Sequence, residues 1–165
     1  MTSVAVVCPT RGRIPQFKQM MDSLKGTARR VDELLVRIDS DDDVHGYMAS
    51  VKVPGIKWII GPRLAIGASP TVNELMYYST ADLIVPISDD MVFQTQGWDD
   101  ILREEFPKDP KTLLFYVKDD WHDKDQVCMP IPKRMWLDLV GTFLPMSPTH
   151  FYSDTWIEDI AVRAG

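Results

Sequence analysis

A chain of 165 residues that is 45% apolar can bury one proper core, which excludes a disordered tail or a small peptide and predicts a single domain over residues 1–165. Its formal net charge of −6 excludes a protein whose whole surface grips nucleic-acid phosphate, while a local basic groove stays open. No apolar run reaches the length of a bilayer span, and Met1-Thr2-Ser3 does not begin a secretory signal, so the expectation is a soluble cytoplasmic protein.

The near-continuous apolar run over 3–8, ended by Pro9, predicts a strand buried on both faces of a parallel sheet. Phe17, Met20, Met21 and Leu24 recur at helical spacing, with Pro15 in the first turn and Gly26 near the end, which predicts a helix over 14–24. Strands follow over 34–38 and 56–60, with a short helix around 45–51 between them. Ser69-Pro70 supplies an N-cap and first-turn proline for a helix to Tyr78, and a strand spans 82–87. This alternation predicts an α/β fold, a mostly parallel central sheet flanked by helices, with ligands outside the carboxyl ends of its strands. The second half is less regular. A helix over 98–106 is stopped by Pro107, strands cover 112–117 and 127–129, Pro132 opens a helix to Val140, residues 141–148 are loop, and a last helix fills 154–164. Cys8 and Cys128 each lie in a strand pattern, so reduced core thiols are expected.

Several familiar patterns fail. Gly61 and Gly67 lack P-loop spacing and the following Lys-Ser or Lys-Thr. The run from Asp39 to Asp43 starts like a calcium loop, but Val44 replaces the turn glycine and Ser50 the closing glutamate. Ser69 lacks the second glycine of a nucleophile elbow. His45, His122 and His150 form no pair at zinc-ligand spacing. What survives is a set of polar residues at strand ends: Pro9-Thr10-Arg11-Gly12-Arg13 after the first strand, Asp39 after the second, Gly61-Pro62-Arg63 after the third, and Asp89-Asp90 after the fourth. In a parallel sheet these ends converge. They offer hydroxyl and carboxylate partners for a base and ribose, arginines for phosphate, and paired carboxylates for a hard divalent cation.

With these residues the sequence resembles the GT-A (Rossmann-like) glycosyltransferases, especially the large inverting family of nucleotide-sugar transferases, over nearly its whole length. The opening strand with Pro9-Thr10 and its basic loop, Asp39, Gly67, Asn73 and the Ser88-Asp89-Asp90 variant of the metal motif carry the likeness. The resemblance implies that Thr10 and Asp39 contact base or ribose, with Pro9, Arg11, Arg13, Arg63, Asn73 and Asp89 also around the nucleotide sugar. It implies Asp90, with Asp89, as ligands of Mn²⁺ or Mg²⁺. An acidic motif about ten residues before Ala164-Gly165 falls on Ser153-Asp154, which makes Asp154 the expected catalytic base. Glu158-Asp159, one turn on, is a rival pair. Members extend beyond this helix and often supply a metal-binding histidine there, so a domain trimmed at its C-terminus is also considered.

The resemblance therefore implies a metal-dependent inverting hexosyl- or pentosyltransferase, with a UDP-sugar as the first donor to expect. A glycan, small molecule or modified nucleic acid would be the acceptor. Trp121, His122, Trp136, His150, Tyr152 and Trp156 offer aromatic faces for it, although Trp136 and Trp156 sit on apolar helix faces and read as core. Two other readings remain: a catalytically silent nucleotide-sugar binding module and a sugar-phosphate nucleotidyltransferase.

Overall fold

The computed structural model describes residues 1–64, 69–106, 108–109, 111–117, 130–145 and 153–164, the last segment without the side chains of 153, 154 and 164. The strands β1 (Val4–Thr10), β2 (Glu33–Asp39), β3 (Ile56–Gly61) and β4 (Leu83–Pro86) pair in parallel in the order β3-β2-β1-β4. Helices α1 (Ile14–Thr27), α2 (Val44–Ser50) and α3 (Ser69–Tyr78) make the connections. Beyond them lie α4 (Trp98–Glu105), β5 (Leu114–Tyr116), β6 (Pro130–Pro132), α5 (Arg134–Val140) and α6 (Ser153–Ala164). This is the α/β architecture expected from the alternation of strand and helix patterns.

Strand alternation sorts the core onto two faces. Val4, Val6 and Cys8 of β1 join Val36, Ile38, Leu83 and Val85 against Phe17, Met20, Met21 and Leu24 of α1 and Tyr47 of α2. Ala5 and Val7 turn the other way, with Leu35 and Ile84, toward Val72, Leu75 and Met76 of α3, Trp136 and Leu137 of α5 and Ile157 of α6. Each large side chain so buried contributes roughly 2 kcal/mol through the water it excludes. Trp136 and Trp156 both belong to this second face, as their helical spacing predicts, and the Trp136 indole donates to Thr142 O at 3.2 Å.

Several boundaries differ from expectation, α1 running on to Thr27 and β5 covering only Leu114–Tyr116 among them, and two have a clear cause. β1 continues through Pro9 and Thr10, paired with Arg37 and Ile38. A proline is tolerated there because odd-numbered residues of β1 face β4, as the Ile87 N to Val7 O bond shows, and β4 ends at Pro86 opposite Val7. The missing N–H of Pro9 thus costs no ladder bond. Pro132 does not open a helix but ends β6, antiparallel to β5 in the register Leu114↔Pro132 and Tyr116↔Pro130. Lys133 N reaches Leu113 O at 2.9 Å, so the alternate prolines face away from β5 and leave its pairing intact. β4 is shorter than the strand expected over 82–87, and soon after it the chain enters a turn closed by Met91 N on Ser88 O at 3.3 Å. The strand expected at 127–129, and Cys128 with it, lie outside the described residues. Cys8 is a buried free thiol, as expected. Among the described residues no helix is long and apolar enough to cross a membrane.

Candidate active site

The register aligns the carboxyl ends of all four parallel strands, since Thr10 pairs with Ile38, Asp39 with Gly61, and Val7 with Pro86. The loops leaving β1 and β4 meet there. Thr10 Oγ1 donates to Asp89 Oδ2 at 2.7 Å across 79 residues of sequence, and both side chains are buried. The other Asp89 oxygen lies 3.4 Å from Arg13 Nη1, and the same nitrogen lies 2.8 Å from Asp90 Oδ2. Ser88 Oγ donates to the remaining Asp90 oxygen. One cationic nitrogen therefore sits between one oxygen from each of two adjacent carboxylates. Tyr47, fully buried on α2, accepts from Arg13 N at 2.8 Å and lies close enough to the Thr10 side chain to feel it. Burial pushes its phenol above the ordinary range, so it stays a neutral prop. Beneath the pair, burial pushes the Cys8 thiol well up, and the Asp89 and Asp90 charges add to the effect, so Cys8 is inert at neutral pH.

A second acid–base cluster forms at the β2 end. Asp39 gives one oxygen to Arg37 and the other to Arg11, the latter at 2.9 Å. Arg11 also grips Asp41 with both terminal nitrogens, at 2.5 and 3.1 Å. The hydrogen bond to Asp41 leads the forces that hold Arg11 protonated, and the same contact depresses the Asp41 carboxyl. Asp42 accepts from Gly12 N at 2.7 Å, and Asp43 caps α2 by accepting from Gly46 N at 2.9 Å. The acidic run that imitates a calcium loop is thus the clamp that shapes the Thr10–Arg13 loop, where Gly12 adopts φ 65°.

Arg37 is the residue that the sequence reading missed. It stands on β2 with 1% of its side chain exposed, bonding Asp39, Glu74 Oε2 at 3.2 Å and Pro62 O. Gly61 makes room for it, since a Cβ there would lie 3.0 Å from Arg37 Nη2. A charged residue inside an apolar strand pattern, two positions before an aspartate on the same face, was the available signal.

Of the residues expected at the site, Pro9, Thr10, Arg11, Arg13, Asp39, Asp89 and Asp90 gather at this edge. Arg63 is exposed and near enough to Asp41 to lower its pKa. Asn73 is buried on α3 and holds the turn before Pro145, accepting from Phe143 N and Leu144 N and donating to Leu144 O at 2.9 Å. Asp154 stands in the first turn of α6, and its side chain lies outside the described residues. Glu158 is half-buried there, and exposed Asp159 pairs with Arg163 at 2.8 Å. Trp121, His122, His150 and Tyr152 lie outside the described residues. So does Gly67. Among the described residues, no three His, Cys, Asp or Glu side chains group as a metal site.

The architecture is the GT-A fold of glycosyltransferases. Solved structures sharing it include a mannosyltransferase, PcManGT, from Pyrobaculum calidifontis in complex with GDP-Man and Mn²⁺, with a TM-score of 0.73 and 17% identity over 98% of this chain and 52% of that one. Glucosyl-3-phosphoglycerate synthase from Mycobacterium tuberculosis in complex with UDP matches with a TM-score of 0.68 and 16% identity, over 99% of this chain and 67% of that one. The 1-349 segment of S. aureus TarS in complex with UDP matches with a TM-score of 0.65 and 12% identity, over 97% and 55%. The chain thus spans about half the length of the mannosyltransferase and TarS structures. No family model matches the chain, and no curated protein matches it.

Proposed function

We propose that this chain is a glycosyltransferase domain that moves a sugar from a nucleotide-diphosphate donor, a UDP-sugar first among them, to an acceptor hydroxyl with inversion. The observation that carries the reading is the convergence of Asp89 and Asp90 on one cationic nitrogen at the carboxyl edge of a GT-A sheet. Two carboxylate oxygens facing a common point suit a hard divalent cation such as Mn²⁺ or Mg²⁺, whose remaining ligands would be diphosphate oxygens and water. When bound, such an ion offsets the charge that builds on the diphosphate leaving group. Mn²⁺ stands in the named mannosyltransferase complex, which supports this choice.

The chain's own residues supply the rest of the mechanism. Thr10 fixes the orientation of Asp89. Asp39, held by Arg37 and Arg11 through one lone pair on each oxygen, keeps acceptor capacity for nucleoside hydroxyl or N–H donors. Arg13 and Arg63 supply positive charge for the phosphates. Ile157 is fully buried on the α3 side of the sheet and so anchors the helix that carries Asp154. Asp154 is the base we propose, from its place about ten residues before Ala164-Gly165, with Glu158 and Asp159 one turn on as the alternatives. As the acceptor oxygen bonds the anomeric carbon, the bond from that carbon to the diphosphate breaks, the hydroxyl proton passes to Asp154, and the nucleoside diphosphate leaves.

A panel of UDP-, GDP- and TDP-sugars with and without Mn²⁺ tests the proposal on the intact chain and on Asp90→Ala. The expected result is metal-dependent release of nucleoside diphosphate, reduced about 100-fold in the variant. Donor binding without turnover would indicate a binding module. Pyrophosphate release from a nucleoside triphosphate would indicate a nucleotidyltransferase.

A further inference from the structure

The two arginines of the Thr10–Arg13 loop are held in unlike ways. Arg11 forks onto Asp41 with two nitrogens and adds Asp39 with one of them. Arg13 touches Asp89 and Asp90 through Nη1 alone, with 51% of its side chain exposed. The backbone beneath both is pinned, Gly12 N to Asp42 and Arg13 N to Tyr47. The Arg13 guanidinium can therefore swing away by side-chain rotation, with no loop movement and with the loss of one nitrogen's contacts. It occupies the position between the carboxylates that a divalent cation held by Asp89 and Asp90 would need.

We infer that Arg13 is a resident counter-ion of the Asp89–Asp90 pair, displaced by the metal and then taken up by the diphosphate, so that it couples metal binding to nucleotide binding. This rests on the glycosyltransferase reading of the same site and adds a role that the reading does not require. Without nucleotide, an entering cation strips Arg13 of its anionic partners, which weakens metal binding. With nucleotide, the displaced guanidinium finds phosphate oxygens, which strengthens it. The coupling is reciprocal: whatever factor the nucleotide adds to metal affinity, the metal adds to nucleotide affinity.

The test is a Mn²⁺ titration followed by electron paramagnetic resonance on the intact chain, with and without UDP, for the parent, Arg13→Gln, Arg13→Lys and Lys25→Gln. Lys25 lies in the last turn of α1, outside the site, so its replacement removes the same net charge elsewhere. Arg13→Gln should bind Mn²⁺ alone about tenfold tighter and Mn²⁺ with UDP about tenfold weaker, a fall of about 100-fold in the coupling factor. Arg13→Lys should recover part of that factor, and Lys25→Gln should match the parent. Unchanged Mn²⁺ affinity in Arg13→Gln, or an equal gain in Lys25→Gln, overturns the inference while parental binding of Mn²⁺ with UDP leaves the glycosyltransferase reading standing. A parent that binds no Mn²⁺ even with UDP overturns both.

Discussion

At the amino end of the sheet, carboxylates are tied to backbone amides. Asp32 accepts from Val4 N at 2.9 Å, Asp82 from Ser3 N at 2.8 Å, and fully buried Asp99 from Arg29 N at 2.8 Å and Arg30 N at 2.6 Å. Arg103 then bridges Asp99 and Asp32 at 2.8 and 2.9 Å. At the carboxyl end, among the described residues, Asp39, Asp89 and Asp90 accept from guanidinium and hydroxyl groups. A backbone amide is fixed by the fold and cannot itself turn away from its partner, whereas a side-chain donor can leave by rotating. The same residue type therefore builds a fixed knot at one end and, at Asp39, Asp89 and Asp90, an exchangeable surface at the other, beside Asp42 and Asp43, which hold the Gly12 and Gly46 amides.

The sharpest way to break this comparison is Asp99→Ala. It strands the Arg29 and Arg30 amides and takes one carboxylate partner from Arg103, only 11% of which is exposed and which keeps Asp32, and should cost about 3 kcal/mol in urea unfolding. Nucleotide binding by the folded fraction should stay at the parental level. Arg37→Met asks whether the carboxyl end also contains a fixed element. With that guanidinium 1% exposed between two carboxylates, the expected loss is about 3 kcal/mol of stability, the low end for a broken buried pair because Asp39 keeps Arg11, and calorimetry should show weaker nucleotide binding, partly restored by Arg37→Lys. The mildest test is acid.

Burial pushes Asp99 up, but the Arg29 and Arg30 amides and Arg103 more than offset it, and its carboxyl sits below the ordinary range. Asp32 is lowered in the same way, burial being outweighed by Val4 N and Arg103. A depressed folded pKa means stability that is complete above the unfolded value of about 3.9 and lost as pH falls through the folded value. Unfolding free energy should therefore fall below about pH 4, and less steeply in Asp99→Asn.

The parallel sheet and the edge where its loops meet were readable because both rest on local patterns: apolar strand runs, helical spacing in 17–24, and polar residues at each strand end. The partnerships that organise the site were not. Thr10 meets Asp89 across 79 residues and Arg13 meets Tyr47 across 34, and no periodicity links such positions. Arg37 was read as an ordinary strand residue, since its three partners come from β2, the segment after β3 and α3. The antiparallel β6 was hidden because Pro132 is also a good first-turn residue of a helix. Asn73 illustrates the converse: its position on α3 was anticipated, yet its amide secures the turn at Phe143-Leu144.

The Thr10–Asp89 bond also has a consequence for the order in which the protein assembles. Strands β1 and β2 join residues 28 apart, as in the Val4–Asp32 contact, whereas the β1–β4 side of the site closes 79 residues. Closing the longer loop costs about 0.9 kcal/mol more in chain entropy. During synthesis, β1, β2 and β3 have all emerged before Asp89 and Asp90 exist to receive Arg13. The half of the edge built by Arg11, Arg37 and Asp39 can therefore form early, and the half that joins Thr10 and Arg13 to Asp89 and Asp90 is completed only when the fourth strand docks, which makes that docking the last step in assembling this edge.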